Sequence, residues 1–128
     1  MMAIGPDRLI VLERTEQTAK LHEVDLAGAT NIAGTRWDDL ATRPTLEQTE
    51  VAAAGIRPLA KRLRFDSAEV REMVGKTEGM ALLGDGTLAL INDDDFGIAG
   101  ARTQIVLVRG AGIARKVAKL KPLGVIKG

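Results

Sequence analysis

The stretch Glu78-Gly-Met-Ala-Leu-Leu-Gly-Asp-Gly-Thr-Leu-Ala-Leu-Ile-Asn-Asp93 sets two apolar runs on either side of a glycine and aspartate turn. Short apolar runs separated in this way predict a β-hairpin. With Asp85 and Gly86 as the central pair of a two-residue turn, Leu83 faces Leu88 and, further out, Glu78 faces Asp93. Directly opposed residues have Cβ atoms about 4.5–5.5 Å apart, a separation at which like charges destabilise the pair. The register depends on the turn, because a slip of one residue moves every side chain to the other face. In this register Met80, Leu82, Ala89 and Ile91 share the carboxylate side, and Ala81, Leu83, Leu88 and Leu90 the opposite side. A hairpin apolar on both faces is expected to lie between layers, where unpaired charge is costly.

From Glu78 to Phe96 the chain carries Glu78, Asp85, Asp93, Asp94 and Asp95 and no Lys or Arg. A divalent cation would relieve the repulsion, since hard ions such as calcium take carboxylate and carbonyl oxygens. Acidic residues at strand ends also serve turn geometry in solvated loops. Spacing leaves both readings open. The Asp-x-Asp-x-Asp-Gly spacing of an EF-hand is absent, as are a Gly-Lys-Ser/Thr phosphate loop and a Gly-x-Ser-x-Gly elbow. Ser67 is the sole serine and opens a helix; His22 is the sole histidine and reads as a strand residue.

Outward from the hairpin, residues 8–14 and 20–26 form two β-prone runs joined by Thr15-Glu16-Gln17-Thr18, a second hairpin. Residues 27–54 read as a loop or insertion containing a helical turn. From Pro58 to Phe65, Leu59, Leu63 and Phe65 alternate with Arg62 and Arg64, the pattern of a half-buried strand. Asp66 as N-cap, Glu69 three residues on, the shared face of Val70, Met73 and Val74, and Gly75 as terminator predict one short helix over 67–74. Residues 103–109 supply a further strand. Residues 111–128 make a basic C-terminal tail, with Arg115, Lys116, Lys119, Lys121 and Lys127 and no acid.

Composition narrows the function classes. Of 128 residues 45% are apolar and 27% charged, which suits a packed core. The net charge of +1, from 18 basic and 17 acidic residues, and an aromatic share of 2% argue against a nucleic-acid binder. Without cysteine there is no disulfide framework and no thiolate metal site. No apolar run reaches the roughly 20 residues of a membrane span, and the first residues lack the layout of an export signal. Neither a membrane nor a nucleic acid is therefore an expected partner.

Four stretches together resemble the phytase-like β-propeller family known as "esterase-like activity of phytase", over about residues 8–110. They are Leu9-Ile-Val-Leu-Glu-Arg14, Lys20-Leu-His-Glu-Val-Asp-Leu-Ala-Gly-Ala-Thr30, Lys76-Thr-Glu-Gly-Met-Ala-Leu-Leu83 and Leu90-Ile-Asn-Asp-Asp-Asp-Phe-Gly97. Two positions depart from the family pattern: Thr77 stands where an apolar residue is usual, and Asp94 where Asn is usual. The second change keeps an oxygen donor and loses an amide. The resemblance implies that Glu78 and Asp93, with Asp94 and Glu13, face a propeller channel and suit metal binding, with calcium as the cofactor.

It also implies a mainly β fold, a partial β-propeller of two to three blades of antiparallel strands with one short helix. A propeller needs at least four blades of about 40–45 residues, so 128 residues supply about three. Residues 1–110 then read as a propeller fragment and residues 111–128 as the tail. The parent would be a calcium-dependent phosphoester hydrolase acting on a small phosphate ester, of a family often exported. The alternative is a non-catalytic β-propeller-type module for ligands or proteins; under either reading the isolated chain is expected to self-associate through exposed strand edges.

Overall fold

The computed structural model describes residues 1–70 and 75–113. These form two antiparallel sheets. The first has four strands in the order β1 (Met2–Gly5), β2 (Arg8–Arg14), β3 (Ala19–Asp25) and β4 (Ala60–Asp66). The second has three, β5 (Thr77–Leu82), β6 (Leu88–Asn92) and β7 (Ile105–Val108). Each sheet is a simple meander, neighbours in sequence pairing in space, and the fold is mainly β as expected. Helical structure among the described residues is confined to short 3-10 turns.

Both anticipated hairpins are present. Arg8 pairs with Asp25 and Arg14 with Ala19, closed by a Thr15 N–H bond of 2.8 Å to the Thr18 carbonyl. Strand β1 was not visible in the sequence. Its four residues are too short a run to register, yet Ile4 is fully buried and joins the core.

The second hairpin differs from its sequence reading by one residue. Leu83, not Gly84, pairs with Thr87 through a 2.8 Å bond, and Gly86 N–H returns to the Leu83 carbonyl at 3.0 Å. The turn therefore has three residues, Gly84, Asp85 and Gly86, with Gly86 at φ 82, a left-handed conformation that glycine adopts freely. The Asp85 carboxylate accepts the Thr87 N–H at 2.9 Å and braces the tip. Met80 now faces Leu90 and Leu82 faces Leu88.

This slip sorts the two faces of the sheet. Leu88 and Leu90 are buried with Met80, Leu82 and Val108 packed beside them, while Leu83, Ile91, Ile105 and Leu107 are exposed. The hairpin is covered on one face and not on both. Its buried face meets Ile4, Ile10, Leu21 and Phe65 of the first sheet, so one core lies between the sheets. Full burial of each such side chain contributes about 1.5–3 kcal/mol.

Two further readings are corrected. The alternation of Leu63 and Phe65 is broken by a bulge at Arg64, because Phe65 pairs with Leu21 and Leu63 with the adjacent His22. A bulge inverts facing, so Phe65 is buried while Leu63 is 48% exposed. The helix over 67–74 is replaced at its start by one 3-10 turn, Ser67–Glu69. Asp66 caps it as anticipated, accepting the Ala68 N–H at 3.0 Å, but Val70 is already extended. Buried Ser67 accepts the Ala19 N–H at 2.8 Å, tying the turn to β3. Met73 and Val74 lie outside the described residues, as does residue 114 onward of the basic tail.

Candidate functional site

The start of β5 and the end of β6 meet at Lys76. This residue holds φ 55, a left-handed conformation that costs a side-chain-bearing residue about 1–2 kcal/mol. Three contacts hold it there. Its N–H donates to the Glu16 carbonyl at 3.0 Å, its carbonyl accepts the Asp93 N–H at 2.9 Å, and its ammonium pairs with the Asp95 carboxylate. Glu16 brings a second carboxylate to 3.8 Å of the ammonium. The hydrogen bond that the ammonium donates to Asp95, with the charges of Asp95, Glu16 and Asp93, raises the Lys76 pKa above its ordinary value. Lys76 is thus a fixed cation at the junction of the two sheets.

Strand β5 bulges immediately after it. Thr77 pairs with Asn92 and Gly79 with Ile91, leaving Glu78 without a partner across the ladder. Gly79 is required by close approach: a Cβ there would stand 2.6 Å from Ile91 Cγ2. Exposed Glu78 forms an ion pair with Arg14 at the end of β2. Glu78 and Asp93 are therefore not opposed. Asp93 adjoins Lys76 instead, because the three-residue turn and the bulge together displace the ladder.

The acidic segment after β6 folds on itself. Asp93 accepts the Asp95 N–H at 3.0 Å; Asp94 accepts the Phe96 N–H at 3.1 Å and the Thr103 hydroxyl at 2.9 Å. Asp95 and Phe96 are both left-handed, at φ 49 and 60, and Phe96 is fully exposed. Asn92 bridges to the far side, accepting the Gln104 N–H at 2.6 Å and donating to the Arg102 carbonyl at 3.2 Å. The result is an open depression of about 350 Å³ walled by Glu16, Lys76, Asn92, Asp93, Asp95 and Arg102.

Of the four residues anticipated as metal ligands, Asp93 and Asp94 share this turn, and Glu78 is directed to Arg14. Glu13 belongs to a separate cluster, accepting from Lys61 at 2.8 Å with buried His22 Nδ1 at 3.5 Å. The Lys61 hydrogen bond holds the Glu13 pKa below the usual carboxylate range. Among the described residues no three His, Asp or Glu side chains stand where they could hold a metal ion. Calcium takes about 6–8 oxygens, and the described donors do not make that shell.

The family model described as "Phytase-like: esterase-like activity of phytase" matches residues 1–96. The chain belongs to the phytase-like family. No curated protein and no solved structure matched the chain. The family match takes in both sheets as far as β6 and ends on the Asp93 to Phe96 turn. Within this phytase-like chain, sequence reasoning did not single out Lys76, Arg102 or Glu16, and it read Asp95 only as part of the acidic block. Lys76 stood in a family-like stretch, but nothing local signalled its left-handed backbone or its ion pair. Arg14, which neutralises Glu78, comes from a strand 64 residues away.

Proposed function

We propose that the chain forms part of the substrate cleft of a phytase-like phosphoester hydrolase, with calcium as its cofactor. The observation that supports this reading is the gathering of Lys76, Asp93, Asp95 and Arg102 around one open depression, where the family match ends. Lys76, with three donor hydrogens, and Arg102 are suited to hold a phosphate group and orient its ester. Asp93 and Asp94 each spend one oxygen on a turn amide, so a calcium ion beside them needs oxygens from outside the described residues. By itself the chain is then expected to bind phosphate esters weakly and to hydrolyse them poorly or not at all.

Phosphorus NMR of phenyl phosphate titrated with the full chain tests the cleft. A saturable shift that Lys76→Met removes supports the reading; a shift that Lys76→Met leaves intact overturns it. Calcium calorimetry and a phosphatase assay on the same sample test completeness. Tight calcium binding with Glu78-dependent turnover would show the chain to be a whole enzyme.

A second reading, a non-catalytic module that self-associates, is favoured by one observation. Ile105 and Leu107 on the outermost described strand of the second sheet are 65% and 57% exposed. Uncovered apolar strands template pairing with other chains. Light scattering behind size exclusion tests it: a concentration-dependent dimer reduced by Ile105→Lys supports it, and a clean monomer rules it out.

A further inference from the structure

A second hollow, larger than the Lys76 depression, lies away from it and shares no residue with it. It is an open hollow of about 640 Å³ within the long connection between β3 and β4. That volume is typical of small-molecule sites, which are usually apolar with a few placed polar groups. The connection carries two 3-10 turns, Arg36–Asp38 and Leu46–Gln48, and binding residues are disproportionately found on such loops held by a rigid scaffold.

The hollow is built and not merely left over. Its mouth is pinned where Thr30 N–H donates to the Arg57 carbonyl at 2.9 Å and Arg57 N–H donates to Thr30 Oγ1 at 2.8 Å. Leu26, Ile32, Leu46, Ile56 and Leu59 supply an apolar wall. Leu26 and Leu59 remain 40% and 44% exposed, so apolar surface there is still in contact with water. Covering it is favourable by about 25 cal/mol per Å².

One charged side chain lines this wall. Arg57 steadies its guanidinium on the Gly28 carbonyl at 3.2 Å, and no carboxylate among the described residues pairs with it. Guanidinium presents donors in a planar fork matched to a carboxylate. An apolar wall with one arginine that no described carboxylate pairs with selects a ligand of the same make-up.

We propose that this cavity binds a small, soluble amphipathic carboxylate, with its apolar body against Leu26, Ile56 and Leu59 and its carboxylate on Arg57. The site is independent of the phosphoester cleft, and either can fail without the other.

The test uses the full chain with three probes below their micellar concentrations: decanoate, decyltrimethylammonium and acetate. Binding is followed by calorimetry and by emission of Trp37, whose surroundings share Ile32 and Leu46 with the cavity wall. Decanoate is expected to bind saturably, with acetate and decyltrimethylammonium at least about tenfold weaker, as a charge-assisted hydrogen bond implies. Arg57→Gln should cost decanoate a similar factor, Arg57→Lys should restore part of it, and Leu59→Ser should weaken decanoate without altering the circular dichroism. Equal binding of both amphiphiles, or decanoate binding indifferent to Arg57→Gln, would show a plain apolar patch. No decanoate binding would overturn the proposal outright.

Discussion

The Asp93 amide donates to the Lys76 carbonyl at 2.9 Å, and the Lys76 ammonium turns back to pair with Asp95 two residues further on. Lys76 and the acidic turn thus hold each other in place from both main chain and side chain. Three left-handed residues without the freedom of glycine, Lys76, Asp95 and Phe96, are concentrated at this point. Such conformations persist where surrounding contacts over-determine them.

Substitution of Lys76 separates backbone strain from the ion pair. Lys76→Ala loses the pair and keeps the unfavourable φ of 55, while Lys76→Gly loses the pair and relieves it. Urea unfolding should find the glycine variant more stable than the alanine variant by about 1 kcal/mol. Equal stability would show that Lys76 does not hold the left-handed conformation.

The register of the second hairpin is open to a paired test. Leu88 is fully buried whereas Leu83 is 44% exposed on the opposite face. Leu88→Ala should cost about 2–5 kcal/mol, and Leu83→Ala about 1 kcal/mol or less. Costs of similar size at both positions would favour the two-residue turn, in which they face each other.

Gly75→Ala probes the contact between the sheets. A Cβ at Gly75 would stand 2.5 Å from the Glu16 carbonyl, the acceptor of the Lys76 N–H. Backbone cannot swing aside as a side-chain tip can, so the variant should lose about 1–3 kcal/mol. A lowered urea midpoint checks this, and an unchanged one contradicts the close approach.

Acid and alkali should act through different groups. The Thr87 amide lowers the Asp85 pKa, the Ala68 amide and Lys20 lower that of Asp66, and Lys61 lowers that of Glu13. Carboxylates with lowered pKa stabilise the fold above their ordinary values of 3.8 and 4.5, and the contribution is lost as pH falls through the lowered values. Lys76 has a raised pKa, so its contribution is complete below 10.5 and lost as pH climbs past the folded value. Urea midpoints against pH should fall at both extremes. Asp85→Asn should flatten the acid limb and Asp95→Asn the alkaline limb.

The sequence alone determined six of the seven described strands, the four-residue β1 being the exception. Apolar runs such as Leu9 to Leu12 and Met80 to Leu83, bounded by glycine and aspartate, have few other ways to satisfy backbone and side chains at once. Four motif stretches were enough to suggest the family. The Asp66 cap was legible because it acts two residues away, within its own turn.

What tertiary structure decided was which face of each strand is buried, and with it the site. Gly84-Asp85-Gly86 is compatible with a two- or a three-residue turn. Burial of Leu88 and Leu90 against Ile10, Leu21 and Phe65 coincides with the three-residue form, and those partners come from the other sheet. The same slip, with the bulge after Thr77, took Glu78 away from Asp93 and toward Arg14. Charge repulsion between two residues is local information, but its relief by an arginine 64 positions earlier is not. Local spacing defines what a turn permits, and only packing between the sheets selects among the permitted registers, because a shift of one residue exchanges the buried face for the exposed one.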